Sequence, residues 1–389
     1  MFSDRTNWKL TRNRLTEALE EVKSSGARIL DLTASNPTRA GLHYNDSQIL
    51  QAFASRNALD YDPQPRGLLE ARQAVAEYYR SQHSVELGLS RVLLTTSTSE
   101  GYSFVFRLLC NVGDELLVPK PSYPLFEFLA DLQDVKLVPY PLIYDHGWQI
   151  DFLSLQKAVS QRTRGVVLVH PNNPTGSFVQ DHERRQLNRF CREHGLALIV
   201  DEVFLDYALD GEQRETFASN NDVLTFTLSG ISKISALPQM KAAWIAANGP
   251  EASLSDAMAR LEVIADTYLS MSAPIQWALP ALLEERNNTQ PQLIERVQGN
   301  LAELDRQLAG QKSCRRLLLE GGWYAVLRVP VTQTDEDLCI ELLRQKSVLL
   351  HPGHFYDFPS DGYLVLSLIT PKEEFAEGVE LAFELIGGR

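Results

Sequence analysis

Four short polar stretches carry groups fit for chemistry: Ser97-Thr98-Ser99, Asn172-Asn173-Pro174-Thr175-Gly176, Asp201-Glu202 and Ser229-Gly230-Ile231-Ser232-Lys233. Hydroxyls ahead of a helix expose free N–H groups and a positive dipole end to an anion. A carboxylate beside a buried strand is costly unless it meets a cation or hydrogen-bond donors. A lysine between a strand and a turn becomes a nucleophile when burial lowers its pKa. Taken singly, each stretch also reads as an ordinary cap, turn or solvated side chain. Together they supply an anion seat, an acid, an amide and an amine able to form a Schiff base. That set suits pyridoxal phosphate, whose ring nitrogen needs a carboxylate, whose phosphate needs N–H groups and cations, and whose aldehyde needs a lysine.

The elements that must position these groups follow from periodicity. Continuous apolar runs at Arg91–Thr96, Gly165–His170, Leu196–Val200 and Val223–Leu228 each end at one of the four stretches. Ala242–Ala247 is a further strand, and helical spacing fills the intervals, as in 181–194. Uninterrupted apolar strands alternating with helices imply a mostly parallel sheet covered on both faces, with ligands at the carboxyl ends of the strands. Four polar motifs at four strand ends therefore predict one site. Beyond about residue 250 the pattern changes to long helices, 252–270 and 278–308, then to strands 323–329 and 364–368 with helices 335–345 and 372–386. The expected architecture is a three-layer α/β/α large domain over 46–275. A smaller α+β domain is formed by 1–45 together with 276–389.

The chain has 389 residues, 44% hydrophobic and 22% charged, with a net charge of −13. That balance is globular, and it argues against nucleic acid or an anionic membrane as a partner. Cys110, Cys191, Cys314 and Cys339 are scattered, as in a reducing cytoplasm, and no metal-ligand spacing appears. Neither a signal peptide nor a membrane-spanning run is evident, so a cytoplasmic location is expected. A nucleotide P-loop and a nucleophile elbow are both absent.

From SNPT at 35–38 to the tail, the motifs and their spacing resemble the fold-type I pyridoxal-phosphate enzymes of the class I/II aminotransferase family. The resemblance implies a cofactor, pyridoxal 5'-phosphate, and a role for each matching residue. Lys233 is the Schiff-base lysine that also moves a proton at the substrate carbon. Asp201, in DEVF, pairs with the pyridine nitrogen. Asn173 bonds the ring oxygen, and Tyr123, in PSYP, stacks on the ring. Thr98 and Ser99 form the phosphate-binding turn, assisted by Lys241 where the family usually has arginine. Tyr61, six residues before Gly67, resembles the tyrosine that reaches the phosphate in the neighbouring subunit, which implies a homodimer with shared sites.

Several positions depart from the pattern. Lys241 keeps the charge of arginine and loses its bidentate geometry. Gly230 stands where many members have serine, and Phe204 replaces a tyrosine that would donate to the ring oxygen. In the late strand, Gly362-Tyr-Leu-Val-Leu-Ser367 has Val365 at the place of the arginine that usually grips the substrate α-carboxylate. Arg39 and Arg328 are candidate substitutes, and His351 and His354 flank a Pro-Gly turn at the rim. The expected activity is transfer of an amino group from a donor to a 2-oxo acid or other carbonyl acceptor. A lyase or decarboxylase on the same scaffold, or a non-catalytic cofactor-binding protein, is the alternative.

Overall fold

A computed structural model describes residues 1–269 and 271–388. Among them, eight strands form one sheet: β1 (Val92–Thr95), β2 (Glu115–Lys120), β3 (Lys136–Tyr144), β4 (Trp148–Ile150), β5 (Thr163–Val169), β6 (Ala197–Asp201), β7 (Thr225–Gly230) and β8 (Ala243–Asn248). Their spatial order is β1-β8-β7-β6-β5-β2-β3-β4. The pairs β7–β6, β6–β5, β5–β2 and β2–β3 are parallel, whereas β8 runs against both of its neighbours and β4 against β3.

The apolar runs are continuous because both faces are covered. In β6, Ile199 belongs to the cluster with Leu116, Val118, Val167 and Phe226, while Leu198 and Val200 belong to the opposite cluster with Leu117, Val166 and Leu168. Alternate side chains point to opposite faces, so a strand clad on both sides has no polar register. The reversal of β8 matters for function. Its first residues lie at the edge where β1 and β7 end, with Ala243 opposite both Thr95 and Gly230. Lys241, just ahead of β8, therefore emerges beside Ser97 and Lys233 rather than at the far edge.

A second sheet orders the strands Arg315–Arg316, Tyr324–Arg328, Tyr363–Ser367 and His351–Pro352 side by side, all antiparallel. The segment Leu30–Asp31 pairs with Val348–Leu349, which ties the amino-terminal stretch to the C-terminal part of the chain. The expected helix over 278–308 is two helices, Ala273–Glu284 and Arg286–Ala309. The break falls at Glu285, which is buried and accepts hydrogen bonds from the Asn45 N–H, the Asn45 amide and the Asn288 amide. Apolar periodicity runs through that joint and gave no sign of it. The preceding helix is Glu251–Thr267, and Ser270, its expected last residue, lies outside the described residues.

The two sheets are joined at the NNPTG loop. The Gly176 carbonyl accepts the Gly321 N–H at 2.9 Å, and the Gly176 N–H donates to the Asn172 carbonyl at 2.7 Å. Gly176 has φ +67°, and a Cβ there would stand 2.0 Å from Leu319 Cδ1 and 2.4 Å from the Gly321 carbonyl. Left-handed backbone and a rigid neighbour both exclude a side chain. Gly176→Ala is expected to destabilise the chain by about 3 kcal/mol in denaturant unfolding. A change below about 1 kcal/mol would show that this junction relaxes freely.

Candidate active site

Lys233 sits in the single helical turn Ile231–Ile234 that follows β7. Two tyrosines pin this turn: Tyr207 donates to the Lys233 carbonyl at 2.6 Å, and Tyr44 donates to the Ala236 carbonyl at 2.9 Å. Ala236 is held at φ +54°, a strained angle for a residue with a Cβ that persists only where surroundings over-determine it. The Lys233 amine lies 4.9 Å from the Trp323 ring centre and 5.5 Å from that of Phe204. Burial lowers its pKa to about 8, against a partly compensating pull from Asp201.

Asp201 ends β6, level with Val169 of β5 and Leu228 of β7. Its Oδ2 accepts from the Tyr102 hydroxyl at 3.1 Å, and its Oδ1 accepts from the Val203 N–H at 3.1 Å. Burial nevertheless pushes the carboxyl up to about 6, because those two donors and the Lys233 charge offset only part of the lost hydration. Asn173 Oδ1 is buried without a hydrogen-bond partner among the described residues. The neighbouring Asn172 fixes the loop: its amide donates to the Pro121 carbonyl at 3.1 Å and to Thr175 Oγ1 at 2.8 Å, and its oxygen accepts from Ser122 Oγ at 3.3 Å. The NNPTG and PSYP loops are thereby one unit. Tyr123, the residue after Ser122, has its pKa raised by burial and then by Asp201.

Thr98 and Ser99 open the helix Thr98–Leu109, capped by Ser97, whose Oγ accepts the Glu100 N–H at 3.2 Å. Glu100 reaches back to accept the Thr96 N–H at 2.7 Å. The N–H groups of Thr98 and Ser99 have no acceptor among the described residues, leaving two donors at the positive end of the helix. Lys241 is exposed, with a left-handed backbone (φ 54°) that turns the chain into β8. Tyr61 is 79% exposed on the loop before Gly67 and makes no hydrogen bond or ring contact among the described residues, so its own chain does not bring it to the other groups.

Pyridoxal phosphate can be tested against these residues. A buried carboxyl, a buried amine of lowered pKa, an orphaned amide oxygen, free helix-end N–H groups and a flanking lysine match the demands of its ring nitrogen, aldehyde, ring oxygen and phosphate. The donor set fits. Tyr102, Trp323 and Tyr207 also belong to this site, although sequence reasoning did not select them. Tyr102 stands one helical turn beyond Thr98, which was a usable signal; the other two had none, since contacts across the sheets set their places. Phe204 is buried among Trp323, Tyr324 and Tyr207, so it supplies an apolar wall in place of a hydroxyl. In Phe204→Tyr, the visible band of the bound cofactor is expected to titrate at lower pH by about one unit. An unchanged titration would show that position 204 does not reach the ring oxygen.

Comparison with known proteins agrees. The family model "Aminotransferase class I and II" matches residues 27–377. Glutamate-pyruvate aminotransferase AlaA of Haemophilus influenzae is 27% identical over 365 residues, covering 90% of this chain and 89% of that one. Alanine aminotransferase of Mycobacterium tuberculosis is 27% identical over 375 residues, covering 92% and 86%. Among solved structures, alanine aminotransferase from Pyrococcus furiosus superposes with a TM-score of 0.91 over the whole of both chains at 21% identity, a likeness of fold. The chain belongs to the class I and II aminotransferases, enzymes that depend on pyridoxal phosphate.

Proposed function

We propose that this aminotransferase works through Lys233, with Asp201 and Asn173 at the cofactor ring, Tyr123 on its face, and Thr98, Ser99 and Lys241 at its phosphate. One observation carries the reading: Asp201 at the end of β6 and Lys233 in the turn after β7 stand at adjacent strand ends, with the acid raised to about 6 and the base lowered to about 8. Environments that displace an acid and a base toward each other are the mark of acid–base work near neutral pH.

Bound there, pyridoxal phosphate supplies a ring that withdraws electrons from the carbon carrying the transferred nitrogen. The Asp201 carboxylate would hold the ring nitrogen and keep its proton in place. Asn173 positions the ring oxygen. Lys233, whose lowered pKa makes its neutral form easier to reach near neutral pH, would take the proton from the substrate carbon and give it back. Trp323 and Phe204 keep water from the amine. The free N–H groups of Thr98 and Ser99 would anchor the phosphate.

Relatives named for glutamate–pyruvate and alanine transamination support an amino donor paired with a carbonyl acceptor. The same reading takes residues 46–275 as the large domain and 1–45 with 276–389 as the small one. It also takes the assembly as a homodimer, in which the exposed Tyr61 serves the partner's phosphate, in the cytoplasm. Among the described residues no helix is long and apolar enough to cross a membrane. The experiment is a half-reaction: amino donors are added to the holoenzyme while its visible absorbance is followed. Conversion of the cofactor to its amine form without release of ammonia or carbon dioxide is expected. Release of either would favour the lyase alternative.

A further inference from the structure

Val365 is wholly buried in the strand Tyr363–Ser367, opposite Val326 on one side and His351 on the other. Directly opposed residues share a face of a sheet. Val326, Val365 and His351 therefore form one row, with Tyr324 and Ser367 in the next row on one side and Arg328 and Tyr363 in the next on the other. This face looks into the active site. Tyr324 lies 6.3 Å ring to ring from Phe204, and Tyr123 adds to the rise that burial causes in its pKa. At the other end Tyr363 stacks at 4.3 Å on Phe358, which meets Trp148 of the large sheet.

His351 Nδ1 is 3.1 Å from the Tyr356 hydroxyl. The Tyr356 carbonyl accepts the Ser122 N–H at 3.0 Å, which docks this turn on the loop that carries Tyr123. The Nε2 of His351 has no hydrogen-bond partner among the described residues. Burial lowers the imidazole pKa and Asp31 only partly restores it, so the ring is neutral at neutral pH. Among the described residues no cation is seated in this row: the Arg328 guanidinium lies 4.1 Å over the Tyr363 ring, one row away, with its Nη1 turned to Gly362, and Arg39 is exposed. A substrate carboxylate set against Val365 would be buried beside a neutral imidazole and a phenol, without a counter-charge. A hydroxyl or carbonyl oxygen in the same place would be matched.

We propose, on the reading that Lys233 carries the transfer, that His351, held by Tyr356, binds a neutral oxygen of the substrate where a carboxylate-binding arginine would stand. The preferred donor is then an amino alcohol, which leaves as the matching hydroxy-carbonyl compound, and its amino group passes to a separate carbonyl acceptor. The donor CH–NH2 becomes C=O while the acceptor C=O becomes CH–NH2, so no external oxidant enters.

The test uses the holoenzyme with L-alaninol, L-alanine and isopropylamine, read by the change in cofactor absorbance and by dissociation constants on the Lys233→Ala protein. Alaninol is expected to exceed both others by about a hundredfold in kcat/KM and to bind most tightly. His351→Phe should erase the preference for alaninol over isopropylamine through KM rather than kcat, and leave the resting cofactor spectrum unchanged. Tyr356→Phe should show a smaller effect of the same kind. Val365→Arg should move the preference to alanine; if it fails to fold, His351→Phe still decides. Alanine preferred over alaninol by the wild type, or an unchanged ratio in His351→Phe, overturns the proposal alone. A cofactor band that no amine alters overturns the transfer reading, and this one with it.

Discussion

Lys233→Met is expected to abolish amino transfer while making the cofactor-free chain more stable. The activity loss should be at least about ten-thousand-fold, because one amine both holds the cofactor and moves the proton. The stability gain follows from the displaced pKa. In the fold the amine titrates at about 8, below its ordinary 10.5, so the folded chain binds this proton less tightly than the open chain. The penalty is whole below pH 8, and stability rises as pH climbs from 8 toward 10.5. Methionine fills a similar volume among Trp323 and Phe204 and carries no charge. The gain at pH 7, discounted for the part of the Lys233 side chain that stays open to solvent, should be about 2 kcal/mol, and the rise above pH 8 should flatten. Denaturant unfolding of both chains across pH 6–10 checks this. A variant less stable than the parent would mean that the amine is partnered in the folded chain.

Asp201→Asn is expected to lower turnover by about a thousandfold or more, since the ring nitrogen loses the charge that keeps it protonated. It should also remove a pH dependence. The Asp201 carboxyl titrates at about 6 in the fold against an ordinary 3.8. A raised pKa contributes stability that is fully present below pH 3.8 and is lost as pH rises through 6. Between pH 4 and 7 the cofactor-free parent should therefore lose about 2 kcal/mol that the asparagine variant does not lose. Glu202, raised by burial to about 7, titrates in the same direction in both chains, so the difference between them isolates Asp201. Parallel stability curves would contradict the buried, under-compensated state of this carboxyl.

Much of this was legible in the sequence because the signals are local. The runs GVVLVH, LALIV and VLTFTL marked strands buried on both faces, and the polar residues after them marked the edge where a site forms. Those strand ends mark the stretches, the resemblance to the class I/II aminotransferases singles out Lys233, Asp201, Asn173, Thr98 and Ser99 within them, and Asp201 and Lys233 lie within each other's electrostatic reach. Other features depend on register between distant segments. Tyr102 reaches Asp201 across 99 positions, and Trp323 faces Lys233 only because the second sheet is docked through Gly176 and Gly321. His351 was visible as a rim residue. Its position beside Val365 required the pairing of two antiparallel strands, which no periodicity encodes. The direction of β8 was equally hidden, because an apolar run carries no arrow.

Borohydride reduction of the holoenzyme, followed by peptide mass spectrometry, tests the central claim most directly. Reduction fixes the cofactor permanently to the amine that holds it. The predicted result is one modified peptide, with the added mass on Lys233. Modification at Lys241 or at any other lysine, or an unmodified Lys233 in protein that retains its visible band, would contradict the account.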